Sequence, residues 1–207
     1  DRLPRWGELS PTIVHRSLVG IAGSQGTKSA DTRAAAATAT LELPEKPPVP
    51  EADLPLRPPA LCAGCPHRGL FYALNKMKAI VHSDIGCYTL GLNLGAVDTV
   101  LCMGAAISQA AGFYQAYKNE EKPPDIIATI GDSTFFHAGI PALVDAVAQG
   151  VRFVLVILDN RTTAMTGNQP TPATGIGASG EALQSVKSED AVRGCGVDYI
   201  REANPHQ

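Results

Sequence analysis

The sequence predicts an α/β protein built on a doubly wound, mostly parallel sheet with helices on both faces. Three observations lead there. From Leu61 onward, short apolar runs of strand length alternate with stretches of helix length, which is the pattern of βαβ units. The short runs are continuously apolar, as strands covered on both faces are. They also stop abruptly at Asp84, at Gly131-Asp132 and at Asp159-Asn160. Right-handed crossovers put all such strand ends on one carboxyl edge of the sheet.

Each element has its own signal. His67 to Lys78 reads as a helix, with Leu70, Phe71, Leu74 and Met77 on one face. Ala79 to Ser83 is a short strand stopped by Asp84 and Gly86, and Thr99 to Cys102 is another. Gly104 to Tyr117 is a helix rich in small residues, ended by Asn119 and Pro123-Pro124. Ile126 to Ile130 is a strand, Ile140 to Ala148 a helix closed by Gly150, and Val151 to Leu158 the longest strand. Leu183 to Arg193 is expected to be helical and Val197 to Ile200 to form a last strand.

The first sixty residues differ from the rest. Ala34 to Thr40 is of low complexity, and prolines stand at 44, 47, 48, 50, 55, 58 and 59. A proline-rich tract excludes helix and central strand and favours extended polyproline conformation. Residues 1–60 are therefore read as an interdomain linker with a short helix near Ser10 to Val19, and residues 61–207 as the folded domain. Gly23-Ser24-Gln25-Gly26-Thr27-Lys28-Ser29 fails as a P-loop, because Thr27 separates Gly26 from Lys28 and no strand precedes it.

Composition narrows the function. The chain has 207 residues, 44% hydrophobic and 18% charged, with a formal net charge of −3, the profile of a globular protein. Slight acidity without a basic patch argues against nucleic acid as a partner, and no apolar run approaches a membrane span. The start, Asp1-Arg2-Leu3-Pro4-Arg5-Trp6, lacks the apolar segment of a signal peptide, so a cytoplasmic location is expected. Without an initiator Met, the chain reads as a piece of a longer subunit. Five cysteines include the Cys62-x-x-Cys65 pair, a spacing that favours metal or redox chemistry in a reducing compartment.

The strand ends carry the chemistry. Asp132 and Asn160, delivered to one edge from two strands, can share a hard cation such as Mg²⁺, which takes oxygen ligands and often adds those of a phosphate. The competing reading makes Gly131-Asp132 a turn and Asn160 a cap. Gly104-Ala105-Ala106 opens a helix just after a strand. Its free N–H groups suit a phosphate, while small residues there also suit close helix–sheet packing. Gly64, Gly86 and Gly91 are weaker versions of the same argument. Cys62, Cys65 and Cys87, with Cys195 as a fourth, could hold an iron–sulfur cluster. Packing thiols, or zinc at Cys62 and Cys65, are the alternatives. Cys102, inside a strand pattern, reads as a buried thiol and His82 as structural. His67 and His137, each near a helix start, could move protons or hold a carboxylate, or make only ordinary hydrogen bonds.

The wording of several blocks resembles one family. Leu61-Cys62-Ala63-Gly64-Cys65-Pro66-His67-Arg68, Ser83-Asp84-Ile85-Gly86-Cys87-Tyr88-Thr89, Cys102-Met103-Gly104-Ala105, Gly131-Asp132-Ser133 with Asn160, and Thr163-Ala164-Met165-Thr166-Gly167 resemble the thiamine diphosphate (ThDP) region of indolepyruvate:ferredoxin oxidoreductase alpha subunits, within the 2-oxoacid:ferredoxin oxidoreductases. The resemblance implies a ThDP-binding fold. It assigns Mg²⁺ to Asp132, Asn160 and the Thr162 carbonyl, and the cofactor to Gly64, Cys65, Gly86, Cys87, Gly104, Ala105, Gly131, Asp132, Ser133, Asn160, Thr162, Thr163, Ala164 and Met165. Met165 would lie under the thiazolium. His67 and His137 become catalytic candidates, and Cys62, Cys65, Cys87 and Cys195 ligands of a [4Fe–4S] cluster. The implied activity is oxidative decarboxylation of an aryl pyruvate to acyl-CoA. Implied partners are a pyrimidine-binding domain that supplies the activating Glu, a beta subunit, ferredoxin, coenzyme A and the 2-oxo acid. A non-oxidative ThDP decarboxylase or an acetolactate-synthase-like enzyme would share the metal motif but have no use for clustered thiolates. A non-catalytic nucleotide- or metal-binding module is the third reading.

Overall fold

The computed structural model describes residues 55–205. The expected helix near Ser10 to Val19 and most of the expected linker lie outside them. Pro55 to Ala60, the part of that linker that is described, is exposed and irregular.

Helix α1, His67–Met77, forms where the sequence places it and buries Phe71 and Leu74. It ends at Lys78, whose left-handed backbone (φ 56°) turns the chain into the first strand. Strand β1 is Ile80–Ser83, β2 Thr99–Val100, β3 Ile126–Gly131 and β4 Val154–Leu158. A 3₁₀ segment, Cys87–Leu94, lies between β1 and β2. Helix α2 is Ala105–Tyr117 and α3 Ile140–Ala148. All strand pairs are parallel, in the order β2-β1-β3-β4. The chain thus winds one way from β1 to β2 and the other way from β3 to β4. The crevice where the direction reverses, between the ends of β1 and β3, is where such sheets bind ligands.

Side chains of β3 alternate between two cores. Ile127 joins Val81, Phe71, Leu74 and Tyr88 beneath α1. Ile130 faces the other way, with Ile107 of α2, Leu143 and Ala146 of α3, and Phe135. Ile126 and Ala128 meet Ala106 and Ala110 of α2 on that same side. The small residues of α2 let its backbone lie close to the sheet. Gly104, which caps α2, is required twice over: its φ is +88°, and a Cβ there would sit 2.6 Å from that of Ala138.

The helix after β3 starts earlier than expected. Asp132–Thr134 is already a helical turn, and Phe135–Gly139 widens into a π-turn before α3. Pro141 has no N–H to offer the carbonyl one turn back, and a ladder widened to i→i+5 accommodates that loss.

Five expectations need correction. The strand at Thr99 to Cys102 stops at Val100, and Cys102 is exposed rather than buried. Val151 does not start β4, because its N–H bonds Ala146 O at 3.2 Å and so belongs to the exit from α3. The helix expected over Leu183 to Arg193 is only Ser188–Gly194, here α4. Its first part is instead pulled into extended pairing, with Leu183 N bonding Gly175 O and Val186 N bonding Pro172 O, both at 2.9 Å. Val197 to Ile200 packs against the core but forms no strand.

His82, read as structural, sits buried in β1. Its Nδ1 donates to Thr99 Oγ1 at 2.6 Å, and that hydroxyl passes its own proton to Gln109 Oε1 at 2.7 Å. The ring also meets Phe113 edge-on, with centroids 4.3 Å apart. Burial pushes its titration below the ordinary imidazole value, with Asp98 opposing. The unfolded chain therefore takes up this proton more readily, near pH 6.5. The stability contributed by neutral His82 is complete above about pH 6.5 and is lost as pH falls below it. The urea midpoint of the wild-type chain is expected to drop between about pH 7.5 and about pH 5 by more than that of His82→Asn. Equal drops would show that His82 does not couple folding to pH.

Candidate functional site

Gly131 on β3 is the register partner of Leu158 on β4. Neighbouring strands lie about 4.8 Å apart, so the residues just beyond these two emerge side by side. They are Asp132-Ser133 from one strand and Asp159-Asn160 from the other. Asp132, Ser133 and Thr134 form one wall of a cavity, and Asn160 with Thr162–Thr166 the next. The third wall comes from the end of β1, as Ile85, Gly86, Cys87 and Tyr88, and His67 and Met103 complete it.

Asp132 is only 2% exposed. Its Oδ2 accepts a hydrogen bond from Thr171 Oγ1 at 3.3 Å. Burial raises its titration above the usual carboxylate range, the negative charge of Asp159 raises it further, and bonds from the Ser133 N–H and the Thr171 hydroxyl offset part of this. The only charge that shifts it is thus another anion. A buried carboxylate in that position is stabilised by a cation, and the oxygen donors around it are the kind Mg²⁺ takes. The residues present fit a hard dication.

The opposite wall is shaped by two successive side-chain turns. Asp159 Oδ1 accepts from Arg161 N at 3.0 Å, and Asn160 Oδ1 from Thr162 N at 3.1 Å. Arg161 sits between them with a left-handed φ of 56°. This reversal brings the Thr162–Thr166 segment back over the cavity, where Thr163 Oγ1 donates to Ser133 Oγ at 2.9 Å.

Two residues not singled out from the sequence organise the third wall. Tyr88 is buried, and its hydroxyl joins Ile85 O at 3.0 Å to Thr134 Oγ1 at 3.2 Å. Its ring lies against Gly86 and Gly131, where a Cβ would fall within 2.5 and 2.6 Å of it. Burial pushes its phenol upward, so it remains a neutral donor. Asp84 is fully buried. Both its carboxylate oxygens accept from Gly104 N at 2.8 Å, and Oδ1 also accepts from Ile85 N at 2.7 Å. The signals were Asp84 at a strand end and the glycines flanking Tyr88, but their meaning depends on contacts between segments 20 to 46 residues apart.

Asp84 corrects one expectation. The start of α2, expected to receive a phosphate, already holds this carboxylate, and Gly104 and Ala105 do not line the cavity. Gly64 and Cys65 do not line it either. His67 is buried on the wall, and burial lowers its titration, whereas His137 is exposed in the π-turn and outside the lining. Met165 lines the cavity half-exposed.

The four cysteines do not converge. Burial raises the Cys87 thiol, with Cys65 and Cys62 raising it further, so these three are neighbours. Cys65 and Cys87 pack on the α1 side of the sheet, whereas Cys195 packs with Val192 and α3 on the opposite side. Among the described residues no three His, Cys, Asp or Glu side chains gather closely enough to hold a metal ion. The expected four-thiolate set does not fit one cluster, and no step is derived through it.

An open parallel sheet with a buried carboxylate, an amide and several hydroxyls at its switch point defines a cofactor-binding α/β domain. Residues 84–207 match the model of the thiamine pyrophosphate (TPP) enzyme C-terminal TPP-binding domain, and the chain belongs to that family. It is 52% identical over 162 residues to the indolepyruvate oxidoreductase subunit IorA of Archaeoglobus fulgidus, covering 75% of this chain and 25% of that one. It is 42% identical over 214 residues to the IorA of Methanothermobacter marburgensis, covering 98% and 31%. The chain therefore spans only a quarter to a third of the length of these relatives. A solved 2-oxoglutarate:ferredoxin oxidoreductase from Magnetococcus marinus is similar at 21% identity and a TM-score of 0.48, over 56% of this chain and 42% of that one.

Gly131 tests the packing at the site. Its backbone (φ −80°, ψ 157°) suits any residue, and the nearest obstacle to a methyl group there is the Tyr88 side chain. Gly131→Ala is expected to cost about 1–3 kcal/mol in urea unfolding, and less when Tyr88→Ala is already present. A cost independent of Tyr88 would mean that the ring does not hold this turn.

Proposed function

We propose that this chain is the ThDP- and Mg²⁺-binding part of a 2-oxoacid:ferredoxin oxidoreductase that decarboxylates an aryl pyruvate, indolepyruvate in the first instance, to its acyl-CoA. The observation that carries the reading is the parallel register that ends β3 and β4 level, with Asp132 and Asn160 on one cavity. Asp132, Asn160 and the Thr162 carbonyl would hold Mg²⁺. The Ser133 hydroxyl, which accepts from Thr163 and keeps its own proton to give, would orient a diphosphate on that ion. ThDP, when bound, supplies the electron sink that decarboxylation of a 2-oxo acid needs.

The remaining tasks belong to the chain itself. Ile85, Met103 and Met165 give the cavity apolar surface that limits water around a cofactor ring. His67, held neutral by burial on the cavity wall, can accept or return a proton there. His137 is exposed and lies outside the cavity lining. Residues 1–60 would act as a linker from a pyrimidine-binding domain, which together with a beta subunit, ferredoxin and coenzyme A completes the proposed enzyme. The names of the IorA relatives support the substrate class. Among the described residues no helix is long and apolar enough to cross a membrane, in keeping with a cytoplasmic enzyme as the proposed setting.

A titration of the full-length protein with ThDP, with and without Mg²⁺, tests the assignment. Wild type is expected to bind ThDP in a Mg²⁺-dependent way, and Asp132→Ala to lose that dependence. ThDP binding that ignores both Mg²⁺ and Asp132 would overturn the site.

A further inference from the structure

We infer that Thr171 and Thr174 form a hydroxyl brace across the cation site, and that this brace sets the spacing of its two halves and so favours Mg²⁺ over a larger dication. The inference rests on the site proposed above and adds positioning residues to it.

The two threonines lie beyond the segment that lines the cavity, yet they reach both of its halves. Thr171 is 6% exposed, and its hydroxyl donates to Asp132 Oδ2. Thr174 Oγ1 donates to the carbonyl of Arg161 at 2.6 Å. Arg161 is the residue between Asn160 and Thr162. The two ends of the brace are themselves joined, because Thr171 N donates to Thr174 Oγ1 at 2.8 Å. A further bond, from Ala173 N to Thr171 Oγ1 at 3.2 Å, orients the first hydroxyl.

Counting protons fixes the direction of the network. Each threonine hydroxyl has one proton. That of Thr171 goes to Asp132 and that of Thr174 to Arg161, so the 3.3 Å approach of the two hydroxyl oxygens needs no bond of its own. The chain of contacts runs Asp132, Thr171, Thr174, Arg161 without a gap. Its consequence for a cation is specific. With Oδ2 held by Thr171, the Asp132 carboxylate is restrained in the direction it presents to an ion. The other anchor fixes the turn that presents Asn160 and Thr162. Mg²⁺ demands short, near-octahedral oxygen contacts, whereas Ca²⁺ accepts longer and more variable ones. A brace that fixes the span between the two ligand sets therefore benefits Mg²⁺ more.

The test compares Mg²⁺ and Ca²⁺ titrations of the full-length protein with ThDP present, for wild type, Thr171→Val, Thr171→Ser, Thr174→Val and Asp132→Ala. Removing the Thr171 hydroxyl is expected to weaken Mg²⁺ about 10-fold, in the range seen when the partner of a metal ligand is lost, and to weaken Ca²⁺ less. Thr171→Ser should restore both the affinity and the preference. Thr174→Val, at a less buried position, should shift the preference the same way and serves if Thr171→Val fails to fold. If these valine variants bind Mg²⁺ within about twofold of wild type, or weaken both ions equally, the brace is refuted. If Asp132→Ala also binds Mg²⁺ as wild type does, the site itself is wrong, which is a different failure.

Discussion

The site depends first on a backbone fact, the parallel register that sets Gly131 against Leu158. Side chains in a sheet alternate with a period of two, so a slip of one residue would reverse every facing position. Here such a slip would separate the Asp132 turn from the Asp159-Asn160 turn and send the alternating β3 side chains to the wrong cores. The register is held because Ile127 and Ile130 each fill a different, closed cluster. Hydrophobic packing on two faces thus fixes the alignment of two polar residues at one edge, though neither of them contributes to that packing.

A second layer of constraint comes from Asp84 and Tyr88, which bind the end of β1 to the rest of the cavity. Asp84 places a carboxylate at the start of α2, where free N–H groups and the helix dipole stabilise it. Burial acts against that charge and raises its titration. The bonds to Ile85 and Gly104 act the other way. Tyr88 works by shape: its ring fills the space left by two glycines, and its hydroxyl ties the Ile85 carbonyl to Thr134.

Much of this was legible in the residues. The doubly wound sheet, the helix over His67–Met77 and the pairing of Asp132 with Asn160 all follow from patterns with strong physical causes. A continuously apolar strand needs cover on both faces, and an abrupt polar stop marks the edge where that cover ends. The errors fall where local preference yields to distant contacts. Leu183 to Val186 has helical composition, but the left-handed Gly175 and the bonds that Leu183 N and Val186 N donate to the Gly175 and Pro172 carbonyls hold it extended. Cys195 has the same side chain as Cys87, yet the sheet lies between them, and spacing in sequence carries no information about faces so far along the chain. The start of α2 looked like an anion site because its own residues do. That another part of the chain supplies the anion is a tertiary fact.

The electrostatics of the cavity point the same way as its geometry. Asp132 is buried with a second carboxylate near it and no cation among the groups that shift its titration. Protein interiors tolerate such an arrangement only when something offsets it. Hydrogen bonds from Thr171 and Ser133 do part of this. They cannot supply net positive charge, and the hydroxyl-rich Thr162–Thr174 loop adds none from its threonines. On the proposed reading, a dication binding here relieves a cost already present in the native fold. Cation binding and stability then become linked quantities, since a ligand that binds only the folded state shifts folding toward it by mass action.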